Sequence, residues 1–201
     1  MRHFISTGWL LLAVGLVHGG GLVWPTMSFA DSSLVDFIRS EQRSRVPLSA
    51  SQSVGTENPK AWLVFFLSSK CPCSIGHEPR IREIVKKYAG PELAVLGVNA
   101  NRDETSESAT QHFMAAGLPF PVLRDEQGKW LEKLPALKTP HVFLVAAQDG
   151  AILYQGGIDD STSPDMAKRI YLDEALSDFR AGKEIRTPKS RSLGCQIRRS
   201  L

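Results

Sequence analysis

Two cysteines separated by one residue, Cys71-Pro72-Cys73, stand with Ser74 at the end of an apolar run, and Cys195 is the only other cysteine of the 201-residue chain. The reactive form of a thiol is the thiolate. The free backbone N–H groups and positive dipole end of a helix start favour that anion. The placement predicts a lowered pKa for Cys71 and a nucleophile able to open a disulfide or a peroxide. A bond from Cys71 to Cys73 would close a small strained ring and be labile, unlike a structural staple. Cys73 is therefore either a local resolving partner or a spectator packed against the core. Cys195, preceded by Gly194, would fold back to resolve Cys71, bridge to Cys73, or remain an unpaired tail thiol. Both partners stay open at this level.

Soft metal chemistry is the second option these residue types offer. Cys71, Cys73 and a histidine, His77 or His141, would supply two sulfurs and a nitrogen suited to Cu(I). The acidic group Asp159, Asp160 and Asp165 reads instead as a helix cap and solvated turn. No metal is assigned, and no organic cofactor is needed, because the cysteines carry the electrons.

The elements that must position Cys71 follow from periodicity. Residues 61–67 (AWLVFFL) form an unbroken apolar run, the pattern of a strand buried on both faces. After the cysteines, Ile75, Ile81, Ile84 and Val85 recur at helical spacing, with Pro79 inside and Gly90-Pro91 as the stop. Residues 93–98 read as a second buried strand, and 105–116 as a helix burying Phe113 and Met114. Residues 120–123 read as a short strand ending in a turn. Residues 142–146 and 152–155 flank Asp149-Gly150 as a hairpin. Residues 166–179 form a last amphipathic helix. An earlier helix is expected after Ser32 and Ser33, and a loop over 49–59. The order describes an α/β protein, a central mixed β-sheet flanked by helices.

Composition is that of one globular domain, with 42% hydrophobic and 22% charged residues. The net charge of +3 is small, and its main basic cluster is terminal, so a nucleic-acid partner is not expected. Arg2, the apolar stretch 9–23 and Ser28-Phe29-Ala30 read as a signal peptide over 1–30, which exports the chain to the periplasm or beyond. Membrane contact would arise only through an uncleaved signal. The expected division is 1–30 signal, 31–59 helix and linker, 60–182 redox domain, and 183–201 a basic solvated tail carrying Cys195.

With these motifs in place the chain resembles the thioredoxin-like fold: a strand, a cysteine, Pro79 eight residues beyond Cys71, and Thr139-Pro140 directly before a strand. More closely it resembles the exported peroxiredoxin-like redoxins of the alkyl hydroperoxide reductase and thiol-specific antioxidant type. That resemblance rests on residues 118–125 (LPFPVLRD), 156–160 (GGIDD), 181–183 (AGK) and 194–197 (GCQI). It implies Cys71 as nucleophile, Ser68 and the helix start as stabilisers of its anion, and Pro140 as the cis-proline shaping the substrate groove.

Two features depart from the wider family. Its P-x-x-x-T-x-x-C pattern falls on Val64, Ser68 and Cys71, so the proline is absent and serine replaces threonine. The activating arginine would fall near Pro140, which leaves Arg124 as the candidate substitute. The expected function is a thiol-dependent oxidoreductase acting on a peroxide or protein disulfide, with Cys73 or Cys195 resolving and a thiol or disulfide protein as reductant. The alternatives are a Cu(I) chaperone similar to the Sco type, whose C-x-x-x-C spacing is absent here, and a redox-silent interaction domain.

Overall fold

The computed structural model describes residues 32–44, 47–48 and 58–199. The signal read over 1–30, and the 49–57 part of the expected loop, lie outside the described residues. In chain order the elements are α1 (Ser32–Ser44), β1 (Ala61–Leu67), α2 (Pro72–Tyr88), β2 (Leu93–Asn99), α3 (Ser106–Ala116), β3 (Val122–Arg124) and α4 (Lys129–Lys133). They continue with β4 (Lys138–Thr139), β5 (His141–Ala146), β6 (Ile152–Gly156), a 3-10 turn at Pro164–Met166, α5 (Tyr171–Arg180) and β7 (Cys195–Gln196). None of the helices among the described residues is long and apolar enough to cross a membrane.

Five strands form one sheet in the order β3-β2-β1-β5-β6. β1 runs parallel to β2 and antiparallel to β5, which makes the sheet mixed as expected. Every residue of β1 and of β2 is buried. Because side chains alternate along a strand, β1 feeds two cores at once. Leu63, Phe65 and Leu67 pack with Ile81, Ile84 and Val85 of α2, Phe113 of α3, and Leu172 and Leu176 of α5. Trp62, Val64 and Phe66 pack on the other face with Leu34 and Ile38 of α1, Trp130 of α4, and Ile197. Each such aliphatic side chain contributes about 1.5–3 kcal/mol by leaving water.

Several boundaries move. The third strand begins only at Val122, because Pro121 has no N–H to give a ladder; the Phe120 ring before it stacks on Phe65. The last helix begins only at Tyr171, after the 3-10 turn at Pro164, and Met166 is exposed. Ile75 and Met114 also face solvent, because neither points to the sheet at its place on the helix. The short helix α4 was not expected; Asp125 caps it, accepting from the Trp130 and Leu131 N–H groups at 3.2 Å each.

The larger correction concerns the segment read as a solvated tail. It straps back across the domain. Ser190 N–H donates to Gln155 O at 3.0 Å, Gln155 N–H to Pro188 O at 2.9 Å, and Ile197 N–H to Leu137 O at 3.0 Å. β7 pairs antiparallel with β4, and Ile197 is buried in the second core. Its basic side chains hid this role, because a strap needs only paired backbone and one apolar anchor, which leave little periodic trace.

Candidate active site

β1 ends at Leu67, and the chain turns through Ser68, Ser69 and Lys70 to reach Cys71 at the N-cap of α2. Pro72 occupies the first helical turn, where its missing N–H leaves no hydrogen bond unmade. The turn is clamped from behind by Glu104. Its carboxylate accepts from Ser68 Oγ at 2.5 Å, Ser69 Oγ at 2.6 Å, Ser69 N–H at 2.8 Å and Asn99 Nδ2 at 2.8 Å. Burial works against the Glu104 carboxylate, but the Ser68, Ser69 and Asn99 donors hold its pKa below the ordinary value. Glu104 is thus a buried anion with a full set of donors.

Ser68 sits at the centre of the turn. Its hydroxyl proton goes to Glu104, while its oxygen accepts the Cys71 N–H at 2.9 Å and the Lys70 N–H at 3.2 Å. The expectation that Ser68 would donate to the Cys71 anion is therefore not what this arrangement presents: a hydroxyl has one proton, and Glu104 takes it. Ser68 fixes the Cys71 backbone instead. Arg124 likewise does not face the sulfur. Its guanidinium donates to the Asn99 side-chain oxygen and to Glu104 O, as part of the same clamp.

The opposite wall is the cis Thr139–Pro140 peptide. Thr139 O accepts from the Cys71 thiol at 3.1 Å. The Thr139 hydroxyl is buried with no hydrogen-bond partner among the described residues. The strap brings the third cysteine to the same place. In the β4–β7 ladder Cys195 lies opposite Thr139. Gly194, at φ +149°, makes this approach feasible, for a Cβ there would stand 2.0 Å from Thr139 O. Ser192 Oγ secures the strap by donating to Pro140 O at 2.7 Å.

The outcome is that the Sγ atoms of Cys71, Cys73 and Cys195 all lie within 4.8 Å of one another. All three are free thiols, with Cys71 buried and the other two part-exposed. Burial opposes the Cys71 thiolate, yet hydrogen bonds from the Cys195 thiol and the Ser74 N–H hold its pKa below the ordinary thiol value. Cys73 is raised by burial and then by the Cys71 charge. Cys195 is pushed up to about 12 by burial, by its hydrogen bond to Cys71 and by the same charge. Of the three thiols, Cys71 is therefore the one that most readily gives up its proton.

Sequence reasoning missed the pair that braces the helix start. His77 is buried, its Nδ1 at 2.6 Å from Cys73 O and its Nε2 at 3.2 Å from both carboxylate oxygens of Asp159. Arg80 also donates to Asp159, and the Ser161 N–H does so at 2.9 Å. Burial opposes the Asp159 carboxylate, and His77, Ser161 and Arg80 overcome this to depress its pKa. Asp159 is therefore an interior ion-pair partner and not part of a solvated turn, while Asp160 does cap exposed backbone at Lys168 and Arg169. His141 stacks on Phe143 with ring centroids 4.7 Å apart. Burial alone lowers its pKa to about 4. Asn99 left a faint signal, a polar residue closing an apolar strand; Glu104, in the loop beyond it, left none, and Thr139 none beyond its proline.

Comparison with known proteins agrees with this architecture. A hypothetical protein of Sinorhizobium meliloti shares 28% identity over 71% of this chain and 81% of its own, with a TM-score of 0.64. An uncharacterised conserved protein of Geobacillus kaustophilus aligns at 21% identity over 71% of this chain and 79% of its own, TM-score 0.63. A thioredoxin-like protein in its oxidised form shares the fold at 16% identity, covering 70% of this chain and 98% of its own, TM-score 0.51. No curated protein sequence matches the chain. The AhpC/TSA family pattern matches residues 38–155, more than half of the chain. With its mixed five-stranded sheet and cysteine at the N-cap of α2, the chain belongs to the AhpC/TSA family, as a peroxiredoxin-like redoxin of the thioredoxin-fold superfamily.

Proposed function

We propose that this thiol redox protein is a disulfide reductase in which Cys71 is the nucleophile and Cys195 the resolving cysteine. The observation that carries the proposal is the β4–β7 ladder, which sets Cys195 against the Thr139 whose carbonyl meets the Cys71 sulfur. The Cys71 thiolate attacks one sulfur of a substrate disulfide; that S–S bond breaks, and the other substrate sulfur leaves as a thiolate that solvent protonates. The Cys71 charge is then gone, and two of the four influences that raise Cys195 go with it, leaving burial and the Cys73 charge. Cys195 loses its proton and attacks Cys71 Sγ. The Cys71–substrate bond breaks and the second substrate thiolate departs. The substrate disulfide is reduced, a Cys71–Cys195 disulfide forms, and an external dithiol restores it.

Disulfide exchange is favoured over peroxide reduction because Ser68 and Arg124, the donors that would polarise a peroxide, are turned to Glu104 and Asn99. Pro140 forms the wall along which an extended substrate would lie. The N-terminal signal pattern supports placing this activity outside the cytoplasm, where disulfide substrates persist.

Insulin reduction by the reduced protein tests the reading. Cys71→Ser is expected to abolish turnover, Cys195→Ser to trap a substrate mixed disulfide visible by mass, and Cys73→Ser to keep turnover. Wild-type turnover in Cys195→Ser together with loss in Cys73→Ser would assign resolution to Cys73 instead. Peroxide consumption faster than disulfide reduction would reverse the substrate preference.

A further inference from the structure

We propose that the reduced protein binds one Cu(I) ion through a trigonal set of three thiolates, Cys71, Cys73 and Cys195. Sequence spacing alone suggested two sulfurs and a histidine; the strap supplies a third sulfur in place of the nitrogen. Three sulfurs about 2.3 Å from a common in-plane centre stand about 4 Å apart, and these three all lie within 4.8 Å of one another before any ion draws them together. Their carriers are held independently of a ligand: Cys71 by Ser68 and the helix start, Cys73 through its carbonyl to His77, and Cys195 by its ladder with Thr139.

Ligand chemistry selects the ion. Thiolates are soft donors that suit Cu(I), and a closed-shell monovalent ion is content with three of them. A structural Zn(II) site needs a fourth protein donor. His77 has both ring nitrogens engaged by Cys73 O and Asp159, and no histidine or carboxylate joins the three sulfurs within the cluster's span among the described residues. Cys73 thereby gains a role that disulfide exchange between Cys71 and Cys195 does not give it. Because binding needs the thiols reduced and no turnover, it stands or falls apart from the reductase reading.

The test is anaerobic titration of the reduced full chain with Cu(I) against bicinchoninate, with copper-edge X-ray absorption on the wild-type complex. One ion per chain in a three-sulfur shell is expected, with affinity falling at least 100-fold in each of Cys71→Ser, Cys73→Ser and Cys195→Ser. Loss of the ion to the chelator by the wild type, a two-sulfur shell, or unchanged affinity in Cys195→Ser would overturn the proposal. The absorption measurement decides it even if a variant folds poorly.

Discussion

Thr139 and Cys195 face each other across a two-residue antiparallel ladder, and the same Thr139 carbonyl that borders this ladder accepts from the Cys71 thiol. One backbone group therefore sets the distance between the buried thiol and the cysteine on the strap. The reactivity of each sulfur follows from the other.

Removing Cys71 should activate Cys195. Its pKa is pushed up to about 12 by burial, the Cys71 hydrogen bond and the Cys71 charge, so Cys71→Ser removes the last two and moves it down. At pH 8 the iodoacetamide rate at Cys195, read by peptide mass, should rise at least threefold in Cys71→Ser. In the wild type, Cys71 should be the first thiol modified once the pH is lowered towards neutrality, because its own pKa lies below the ordinary value. An unchanged Cys195 rate would show that Cys71 does not govern it.

Gly194→Ala should separate the ladder. The new Cβ would meet the Thr139 carbonyl oxygen, a backbone atom that cannot swing aside. Resolution by Cys195 should slow at least tenfold in single turnover, with attack by Cys71 on the first disulfide nearly unchanged. A uniform loss of both steps would point to global damage.

The strap's hold depends on Ile197, buried at its far end. Truncation of a buried Ile to Ala costs roughly 2–5 kcal/mol, comparable to the docking of so short a segment. Ile197→Ala should free the strap and leave the sheet intact. Hydrogen exchange of the Ile197 amide, which donates to Leu137 O at 3.0 Å, should speed by tenfold or more, while amides of β1 keep wild-type protection.

Acid should loosen the Cys71 turn through Glu104. Its folded pKa is depressed by the Ser68, Ser69 and Asn99 donors against burial. The stability it contributes is therefore fully present above the unfolded value of about 4.3 and lost as pH falls through the lower folded value. Glu104→Gln should be less stable at pH 7 by about 2 kcal/mol, since a neutral amide replaces a charged acceptor. The deficit should shrink below pH 4. Parallel melting curves at pH 7 and pH 3.5 measure this; an equal deficit at both would remove the charge argument.

What the sequence determined on its own was local. Seven consecutive apolar residues read as a doubly buried strand, and the helical spacing of Ile75, Ile81, Ile84 and Val85 put Cys71 at a helix start, since both signals are written in neighbouring positions. The hairpin at Asp149-Gly150 was legible for the same reason. Tertiary structure decided everything that depends on distant chain meeting it: that Glu104 takes the Ser68 proton, that Asp159 is buried against His77 and Arg80, and that a basic tail returns Cys195 to Cys71. No periodicity marks such encounters. They are set by which backbone groups remain unpaired at the sheet's end and by one glycine small enough to let a strand reach them.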